Sequence, residues 1–346
     1  MSSNVTEKDV LNALSQVMDP ELRRDLVSLK MIKDIKIEGS KVALTVELTT
    51  PACPLRQQIQ RDVEQALLAL PGVDTVDVTM GARVPEDKKI RDLAIKNIIA
   101  VGSGKGGVGK STVAVNLAVA LANCGAQVGL LDADIYGPNV PMMMGVQALP
   151  PSPGGNGIQP AEAYGVKVMS IGFMVSQGQP LIWRGPMLHS AIQQFLKDVD
   201  WGELDYLIID LPPGTGDVQL SLVQTVPLSG GVIVTTPQQV SYDDAARAVS
   251  MFKKMEVPIL GVVENMSYLR MADGSLRRLF GEGGGEQLAG LAGAPLLGNI
   301  PIEEAVREGG DQGAPVVVSD PESASAQVLV GLATSVAGRM SMITLG

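Results

Sequence analysis

A glycine-rich segment with a lysine near its end carries the clearest chemistry in the sequence. Gly104, Gly109, Lys110 and Ser111 satisfy the pattern G-x-x-x-x-G-K-[ST]. A strand-like apolar run precedes the segment and a helical apolar run follows it, as a phosphate-binding loop requires. Glycines allow backbone N–H groups to surround an anion, and the N-terminus of the following helix adds partial positive charge. The segment therefore predicts a site for the phosphates of a nucleotide.

Within this loop the residue types indicate separate tasks. Lys110 would reach the β- and γ-phosphates, and the Ser111 hydroxyl would hold Mg²⁺. The sequence thus predicts ATP and Mg²⁺ as ligands. The predicted nucleotide contacts are Gly104, Gly106, Gly107, Val108, Gly109, Lys110, Ser111 and Thr112.

Aspartates end two later apolar runs. Asp132 and Asp134 close one run, and Asp210 closes another. Carboxylates at strand ends could hold Mg²⁺, either directly or through water, and could orient an attacking water molecule. A single Asp in such a place is usually a turn or helix-cap residue. Two such segments together with the loop favour a functional role.

The elements that would position these residues follow from the apolar spacing. From residue 97 onward, short apolar runs without alternation are separated by helical stretches, which is typical of strands covered on both faces of a parallel sheet. We therefore predict a doubly wound, mostly parallel α/β domain at residues 96–346. Its predicted strands are 97–102, 128–132, 206–210, 231–235, 259–264 and 296–300.

The first part of the chain has a different pattern. Residues 1–80 predict a small α+β domain, with one helix opening at Thr6 and a second running from Pro54 to about residue 70. Its predicted strands are 31–38, 41–48 and 73–79. Residues 81–95 predict a linker.

Composition limits the classes of function. The chain has 346 residues and a formal net charge of −10, which argues against a nucleic-acid partner because such binding needs a basic face. The N-terminus has no signal-peptide pattern, and about 18 uninterrupted apolar residues occur nowhere in the sequence. We expect a cytoplasmic protein without a membrane partner.

One further lysine makes the loop more specific. Lys105 gives the sequence G-K-G-G-V-G-K-S-T, which resembles the deviant Walker A loop of MinD-type ATPases. The resemblance implies a homodimer in which Lys105 acts on the partner's nucleotide. The alternative is an ordinary solvated surface lysine.

The whole second domain resembles the Mrp/Nbp-type P-loop ATPases, which carry iron–sulfur clusters. This resemblance implies that Asp134 positions the water, that Asp210 supports Mg²⁺ together with Asp132, and that Asn265 contacts adenine. Besides the loop, the matching segments are Asp132-Ala-Asp-Ile-Tyr-Gly-Pro-Asn, Trp183-Arg-Gly-Pro-Met187, Asp210-Leu-Pro-Pro-Gly-Thr-Gly-Asp217, Glu264-Asn-Met-Ser-Tyr268 and Phe280-Gly-Glu-Gly-Gly-Gly285.

Residues 1–80 resemble the MIP-type domain of iron–sulfur assembly factors. The matching segments are Asp19-Pro-Glu21 and Thr49-Thr-Pro-Ala-Cys-Pro54, whereas Lys30 stands where that family usually has glycine. Together the two resemblances imply a slow ATPase that binds iron–sulfur clusters and transfers them to apoproteins. Its partners would be apo iron–sulfur client proteins and assembly factors.

The cluster ligands are the main departure from the family pattern. Many Mrp/Nbp proteins carry a CxxC after Glu-Asn-Met-Ser-Tyr, where two subunits would hold a bridging [4Fe–4S] cluster. Residues 269–278 contain no cysteine here. Cys53 precedes a predicted helix N-terminus, a position that favours the thiolate, and is a possible ligand. Cys124 is interpreted as a small buried residue and His189 as structural.

Two other functions stay open. The protein could be an ATP-switched adaptor in iron–sulfur assembly that holds no cluster itself. It could also be a spatial regulator of the MinD/ParA type, although residues 321–346 contain only one basic residue, Arg339, and membrane binding would need several on one helix face.

Overall fold

A computed structural model describes residues 5–20, 22–87, 90, 93–151, 157–174 and 185–345, except for the side chains of residues 185, 186 and 188. Within this part of the chain two compact units are present. The smaller unit consists of residues 1–85 and 337–346, and the larger unit of residues 86–336.

The N-terminal segment of the smaller unit contains two helices, a two-stranded sheet and a three-stranded sheet. Its elements are α1 (Glu7–Leu14), β1 (Met18–Asp19), β2 (Arg24–Asp25), β3 (Ile32–Glu38), β4 (Lys41–Leu48), α2 (Arg56–Leu68) and β5 (Thr75–Ala82). In the three-stranded sheet the strand order is β3-β4-β5, β3 and β4 are antiparallel, and β4 and β5 are parallel.

Local sequence signals explain this unit. Thr6 caps α1 in a reciprocal capping box with Asp9, as the opening of the helix predicted. Alternate residues of β4 are buried and face one core together with apolar residues of both helices. The two helices and three strands predicted for residues 1–80 are confirmed, with ends that differ by a few residues.

The larger unit is built on an eight-stranded sheet with the strand order β15-β12-β11-β6-β10-β7-β9-β8. All neighbouring strands are parallel except β8 and β9. Its elements are β6 (Ile98–Ser103), α3 (Lys110–Asn123), β7 (Val128–Asp132), α4 (Val140–Met143), β8 (Ala161–Ala163), β9 (Val166–Ser170), α5 (Gly185–Asp198), β10 (Tyr206–Asp210), α6 (Asp217–Thr225), β11 (Gly230–Thr235), α7 (Gln239–Lys254), β12 (Ile259–Glu264), β13 (Leu269–Arg270), β14 (Leu276–Arg277), α8 (Gly284–Ala292), β15 (Leu296–Asn299), α9 (Glu304–Gln312), α10 (Val316–Ser319) and the first part of α11 (Ala324–Leu345).

The central strands are buried along their whole length. Every residue of β6, β7, β10 and β11 is buried, because helices cover both faces of a doubly wound sheet. The six strands predicted for this domain are confirmed. The edge strand β8, its neighbour β9 and the short hairpin β13–β14 were not predicted.

Only part of the segment predicted as a linker, residues 81–95, lies outside the two units' secondary structure and core. β5 continues to Ala82, and Ile90 and Ile95 are each 2% exposed in the core of the larger unit. Residues 86–95 therefore belong structurally with the larger unit.

The last helix is shared between the two units. Residues 324–336 of α11 belong to the larger unit and residues 337–345 to the smaller one. Within the smaller unit, the Ser341 hydroxyl donates to the Thr49 carbonyl oxygen at 3.2 Å. Among the described helices, α11 alone is long and apolar enough to cross a membrane by length and composition, and 44% of its most apolar stretch is buried in the protein.

We expect the smaller unit to depend on the end of α11 for stability. Met340 belongs to that unit and is 1% exposed, so Met340→Ala should destabilise it by about 2–5 kcal/mol through lost burial and a cavity. Hydrogen exchange in β3, β4 and β5 should accelerate. Ile343 is 40% exposed, and Ile343→Ala is the matched control. Unchanged exchange in the Met340→Ala protein would contradict the assignment of this segment to the smaller unit.

Candidate functional site

The glycine-rich loop joins β6 to α3 and is held tightly on two sides. Gly109 has a φ of +84°, a left-handed conformation, and forms the N-cap of α3. A Cβ atom at Gly109 would lie 2.1 Å from Asn265 Nδ2, and one at Gly104 would lie 2.1 Å from the backbone carbon of Asp244. Close packing therefore requires glycine at both positions, and the left-handed backbone conformation also favours it at Gly109.

Asn265 fixes the loop from the end of β12. Its Nδ2 atom donates to the Val108 carbonyl oxygen at 2.9 Å, and its own N–H donates to Thr235 O at 2.8 Å. The structure thus places Asn265 directly beside the loop. Its predicted contact with adenine stays a prediction.

The Lys110 side chain lies among carboxylates. Its amine donates to Asp210 Oδ1 at 2.7 Å and lies 3.5 Å from Asp134 Oδ2. The Ser111 hydroxyl donates to the other oxygen of Asp210 at 2.5 Å. Lys110 is 6% exposed and Asp210 is fully buried. The structure therefore brings together four of the residues that the sequence predicted for this site.

Burial is the main influence on Asp210. Loss of water raises the pKa of its carboxyl group, while the Lys110 charge and the hydrogen bonds from Lys110 and Ser111 act in the opposite direction. A buried charge without a partner would be strongly unfavourable. The amine of Lys110 is thus the counter-ion on which Asp210 depends.

Asp132 is a second buried carboxylate at the same edge of the sheet. Oδ1 accepts the Asp134 N–H at 3.1 Å, and Oδ2 accepts the Ser170 hydroxyl at 2.9 Å and the Val140 N–H at 3.3 Å. Burial, followed by the nearby Asp210 charge, raises the pKa of Asp132 to about 8. Asp132 therefore anchors the loop that runs from β7 to α4, and its predicted role toward Mg²⁺ stays a prediction.

Ser170 was not identified from the sequence. It ends β9 and pairs in register with Asp132 across the sheet. Besides donating to Asp132, its oxygen accepts the Gly172 N–H at 2.9 Å. Because β9 itself was not predicted, the sequence alone offered no signal for this contact.

Backbone N–H groups of its own loop orient the carboxylate of Asp134. Oδ1 accepts the Tyr136 N–H at 3.1 Å and the Gly137 N–H at 3.3 Å, while Oδ2 faces Lys110. Asp134 is 7% exposed. Its carboxylate is therefore oriented toward the lysine at the end of the glycine-rich loop.

Lys105 lies apart from this cluster. Its amine is 3.5 Å from Gln238 Oε1, just before α7 in the same chain. Gly106 and Gly107 beside it are exposed, whereas Val108 is buried. The open side of the loop therefore faces solvent.

A cavity of about 600 Å³ adjoins the loop. Gly109, Thr112 and Asn265 form one side, and much of the remainder is apolar, with Met266, Phe280 and Ile302. This volume and lining suit a flat heteroaromatic group with its sugar. The cavity-lining residues after Asn265 were not predicted individually.

The oxygen donors at the loop fit Mg²⁺. Hydroxyl and carboxylate oxygens are the ligands that this ion prefers, and Ser111 and Asp210 present them together. Burial raises the pKa values of Asp132 and Asp210, so a cation placed beside these carboxyl groups would favour their ionised forms.

The candidate cluster ligands are less clearly defined. Cys53 is half-buried in the turn before α2, and its carbonyl oxygen accepts the Arg56 N–H at 3.3 Å. Cys124 ends α3, and burial raises the pKa of its thiol. Among the described residues, no group of three or more His, Cys, Asp or Glu is placed to hold a metal ion.

Three other predictions concern single residues or short segments. His189 is exposed, and its Nδ1 atom lies 2.5 Å from the Thr225 hydroxyl, in keeping with a structural role. Residues 269–278, which contain no cysteine although many members of the resembled family carry a CxxC there, include the hairpin β13–β14. Glu21, Trp183 and Arg184 of the quoted segments lie outside the described residues.

Comparison with known proteins assigns the chain to a family. Residues 94–337 match the family described as NUBPL iron-transfer P-loop NTPase, and residues 7–78 match the iron-sulfur cluster assembly protein family. An iron-sulfur cluster carrier protein of Synechocystis sp. is 54% identical, with 99% of each chain covered. A protein of the same description from Deinococcus radiodurans is 55% identical, with 97% of this chain and 96% of that one covered.

A solved structure agrees with this result. The nucleotide-binding protein of Archaeoglobus fulgidus, in complex with ADP, is 40% identical and has a TM-score of 0.56; the match covers 64% of this chain and 87% of that one. The sequence resemblance and the doubly wound fold are thus confirmed. This chain belongs to the NUBPL iron-transfer family of P-loop NTPases.

Proposed function

We propose that this protein is an ATP-hydrolysing carrier that binds iron–sulfur clusters and delivers them to apoproteins. The observation that carries the proposal is the buried Lys110 amine between Asp210 and Asp134 at the end of a phosphate-binding loop. The names of the full-length relatives support iron–sulfur clusters as the cargo. The proposal includes a homodimer and a cytoplasmic location, where ATP is available.

The loop would bind the phosphates of ATP. Backbone N–H groups at Gly106, Gly107 and Gly109 and the Lys110 amine would surround them. Asn265 and the adjoining cavity would hold the adenosine part. That the Archaeoglobus fulgidus relative was solved in complex with ADP supports an adenine nucleotide as the ligand. Ser111 and Asp210, with Asp132 nearby, would hold Mg²⁺, which would neutralise phosphate charge.

The contacts of Lys110 suggest that nucleotide binding would involve an exchange of partners. Lys110 now neutralises Asp210, and arriving phosphates would compete for the same amine. Asp134 would then be released from Lys110 and could orient a water molecule toward the terminal phosphate. Binding of the nucleotide would thereby prepare the carboxylate that hydrolysis requires.

Lys105 would complete the site of a second subunit. In this chain its amine donates to Gln238 Oε1 at 3.5 Å and takes no part in the Lys110 cluster. A lysine on the open side of the loop is suitably placed to contact a nucleotide held by another copy.

The cluster would be cargo, and Cys53 is the proposed ligand within this chain. One cysteine per subunit cannot supply four thiolates, so client or assembly proteins would provide further ligands. The absence of a cysteine at 269–278 favours one alternative, an ATP-switched adaptor that holds no cluster.

Substitution of Lys110 should abolish ATP binding and hydrolysis. Lys110→Ala removes the phosphate contact and leaves Asp210 buried without its counter-ion, so we also expect a loss of about 3–5 kcal/mol of stability. Phosphate release and ATP titration should be measured at a temperature where the variant stays folded. The exposed Lys197 provides the control Lys197→Ala, and near-normal hydrolysis by Lys110→Ala would refute the nucleotide assignment.

Lys105→Ala should bind ATP but hydrolyse it slowly.

Ser170 should affect turnover more than nucleotide affinity. Ser170→Ala removes a donor to Asp132 and loosens the loop that carries Asp134, whereas the phosphate-binding loop is unchanged. We expect kcat to fall roughly tenfold, equivalent to about 1.4 kcal/mol, with little change in KM for ATP. Ser170→Thr keeps the hydroxyl and suits a strand, so it should restore turnover. Equal kcat values for the two variants would show that the hydroxyl has no positioning role.

Anaerobic cluster reconstitution tests the cargo and its ligand. The wild type and Cys124→Ser should bind iron and sulfide, and Cys53→Ser should not, because only Cys53 precedes a helix N-terminus in a partly open turn. Bound iron, sulfide and the visible spectrum are the readouts. A wild type that binds neither would favour the adaptor function, and binding by Cys53→Ser would exclude Cys53 as the essential ligand.

A further inference from the structure

Met266, the residue after Asn265, has a backbone conformation that its side chain disfavours. Its φ is +54°, in the left-handed region, where a long side chain crowds the backbone and where Gly, Asn or Asp is usually found. Among the non-glycine residues of the described chain that have a positive φ, Met266 is the only one that lines the cavity beside the glycine-rich loop. Such a conformation persists only where surrounding contacts hold it, and it is common at binding sites.

The backbone on both sides of Met266 is fixed by hydrogen bonds. Before it, the Asn265 N–H donates to the Thr235 carbonyl oxygen at the end of β11 at 2.8 Å. After it, the Ser267 N–H donates to the Ile300 carbonyl oxygen, just beyond β15, at 2.9 Å. Met266 therefore lies in a turn whose two ends are attached to different parts of the sheet.

One side-chain hydrogen bond closes this turn. The Ser267 hydroxyl donates to Glu264 Oε1 at 2.5 Å, across Asn265 and Met266. The other oxygen of Glu264 accepts the Gly285 N–H at 2.7 Å, at the N-terminus of α8, where negative charge is favourable. Glu264 and Ser267 are 4% and 8% exposed, so little water can replace either partner. The carboxylate is thus anchored on α8 and holds the hydroxyl on the other side.

Glycine keeps α8 close to the carboxylate. A Cβ atom at Gly285 would lie 2.7 Å from Glu264 Cβ, and one at Gly284 would lie 2.7 Å from the Pro237 carbonyl oxygen. Larger residues at either position would therefore force α8 away from the end of β12. The last two glycines of the segment Phe280-Gly-Glu-Gly-Gly-Gly285 thus support the turn that contains Met266.

We propose that Met266 contacts the nucleobase and that Ser267 is its positioning residue. The hydrogen bond from Ser267 to Glu264 holds Met266 in the left-handed conformation in which its side chain lines the cavity. A methionine thioether is polarisable and packs favourably against aromatic rings, which suits a flat heteroaromatic base. The inference rests on the proposed nucleotide site and adds to it a contact residue and the interaction that orients that residue.

Contacts to the base and to the phosphates are held separately. Asn265 is attached to the glycine-rich loop through the Val108 carbonyl oxygen, and the Lys110 amine is attached to Asp210. Neither of these hydrogen bonds involves the Ser267 hydroxyl. Loss of that hydroxyl should therefore release Met266 and leave the phosphate-binding loop in place.

Titration calorimetry of Ser267→Ala with two ligands tests the proposal. The ligands are Mg²⁺–ADP and Mg²⁺–tripolyphosphate, the second of which has no base. The variant should bind ADP about fivefold more weakly than the wild type and should bind tripolyphosphate equally well. With ATP, KM should rise by a similar factor and kcat should stay nearly unchanged. Equal weakening of both ligands, or unchanged ADP binding, would overturn the proposal.

A matched control removes a hydroxyl elsewhere in the larger unit. Ser250 is exposed on α7, where its hydroxyl donates to the Ala246 carbonyl oxygen at 2.9 Å. Ser250→Ala should bind ADP and tripolyphosphate as the wild type does. Weakening of ADP binding to the same extent in Ser250→Ala would show that the effect is not specific to the turn, and would count against the proposal.

A second variant separates orientation of Met266 from damage to the fold. Met266→Gly removes the side chain and adopts a positive φ without strain, so it should also bind ADP about fivefold more weakly. Ser267→Ala added to Met266→Gly should cause less than about a twofold further loss, because no side chain is left to orient. Unchanged ADP binding by Met266→Gly, or losses that multiply in the double variant, would overturn the proposal.

Failure of the nucleotide site itself would give a different result. A wild type that binds neither ligand would refute the proposed site and this inference with it. A wild type that binds both ligands, with normal ADP binding by the two single variants, would refute the inference alone.

Discussion

The buried contact between Lys110 and Asp210 is the interaction on which the site depends. Register in the parallel sheet places Asp132 and Asp210 side by side at the carboxyl ends of β7 and β10. Both carboxyl groups are poorly solvated, which raises the pKa of each; the Asp210 charge adds to the shift of Asp132, and the Asp134 charge adds to the shift of Asp210. Negative charge at this edge therefore requires a cation, and the Lys110 amine supplies it. The same requirement makes the edge receptive to phosphates and a divalent ion.

Several elements of the larger unit hold the glycine-rich loop and the carboxylates in fixed positions. The all-buried strands β6, β7 and β10 fix the positions of the loop and the carboxylates, and Asn265 closes the loop from β12. Ser170 extends the network to β9. The charged groups at the centre of the site are thus surrounded by neutral hydrogen bonds, which orient the carboxylates.

The sequence was sufficient where a local pattern determines the structure. Continuous apolar runs identified the central strands, and the glycine–lysine spacing identified the loop, because both depend on neighbouring residues. It was insufficient for Ser170, whose role arises from cross-strand register, and for β8 and β9, which follow a Pro- and Gly-rich stretch. Lys105 and Cys53 were singled out from the sequence as well, but their proposed roles involve other molecules. Within a single folded chain, no contact distinguishes these roles from structural ones.

The division of the chain into units has a consequence for biosynthesis. The larger unit, residues 86–336, is inserted between the two segments of the smaller unit. During translation residues 1–85 are synthesised before the larger unit, yet residues 337–345 are synthesised only after it. The smaller unit is therefore completed only after the nucleotide-binding unit has been synthesised. A chain truncated after residue 336 would contain the whole nucleotide-binding unit, whereas the unit that carries Cys53 would lack its last helical segment.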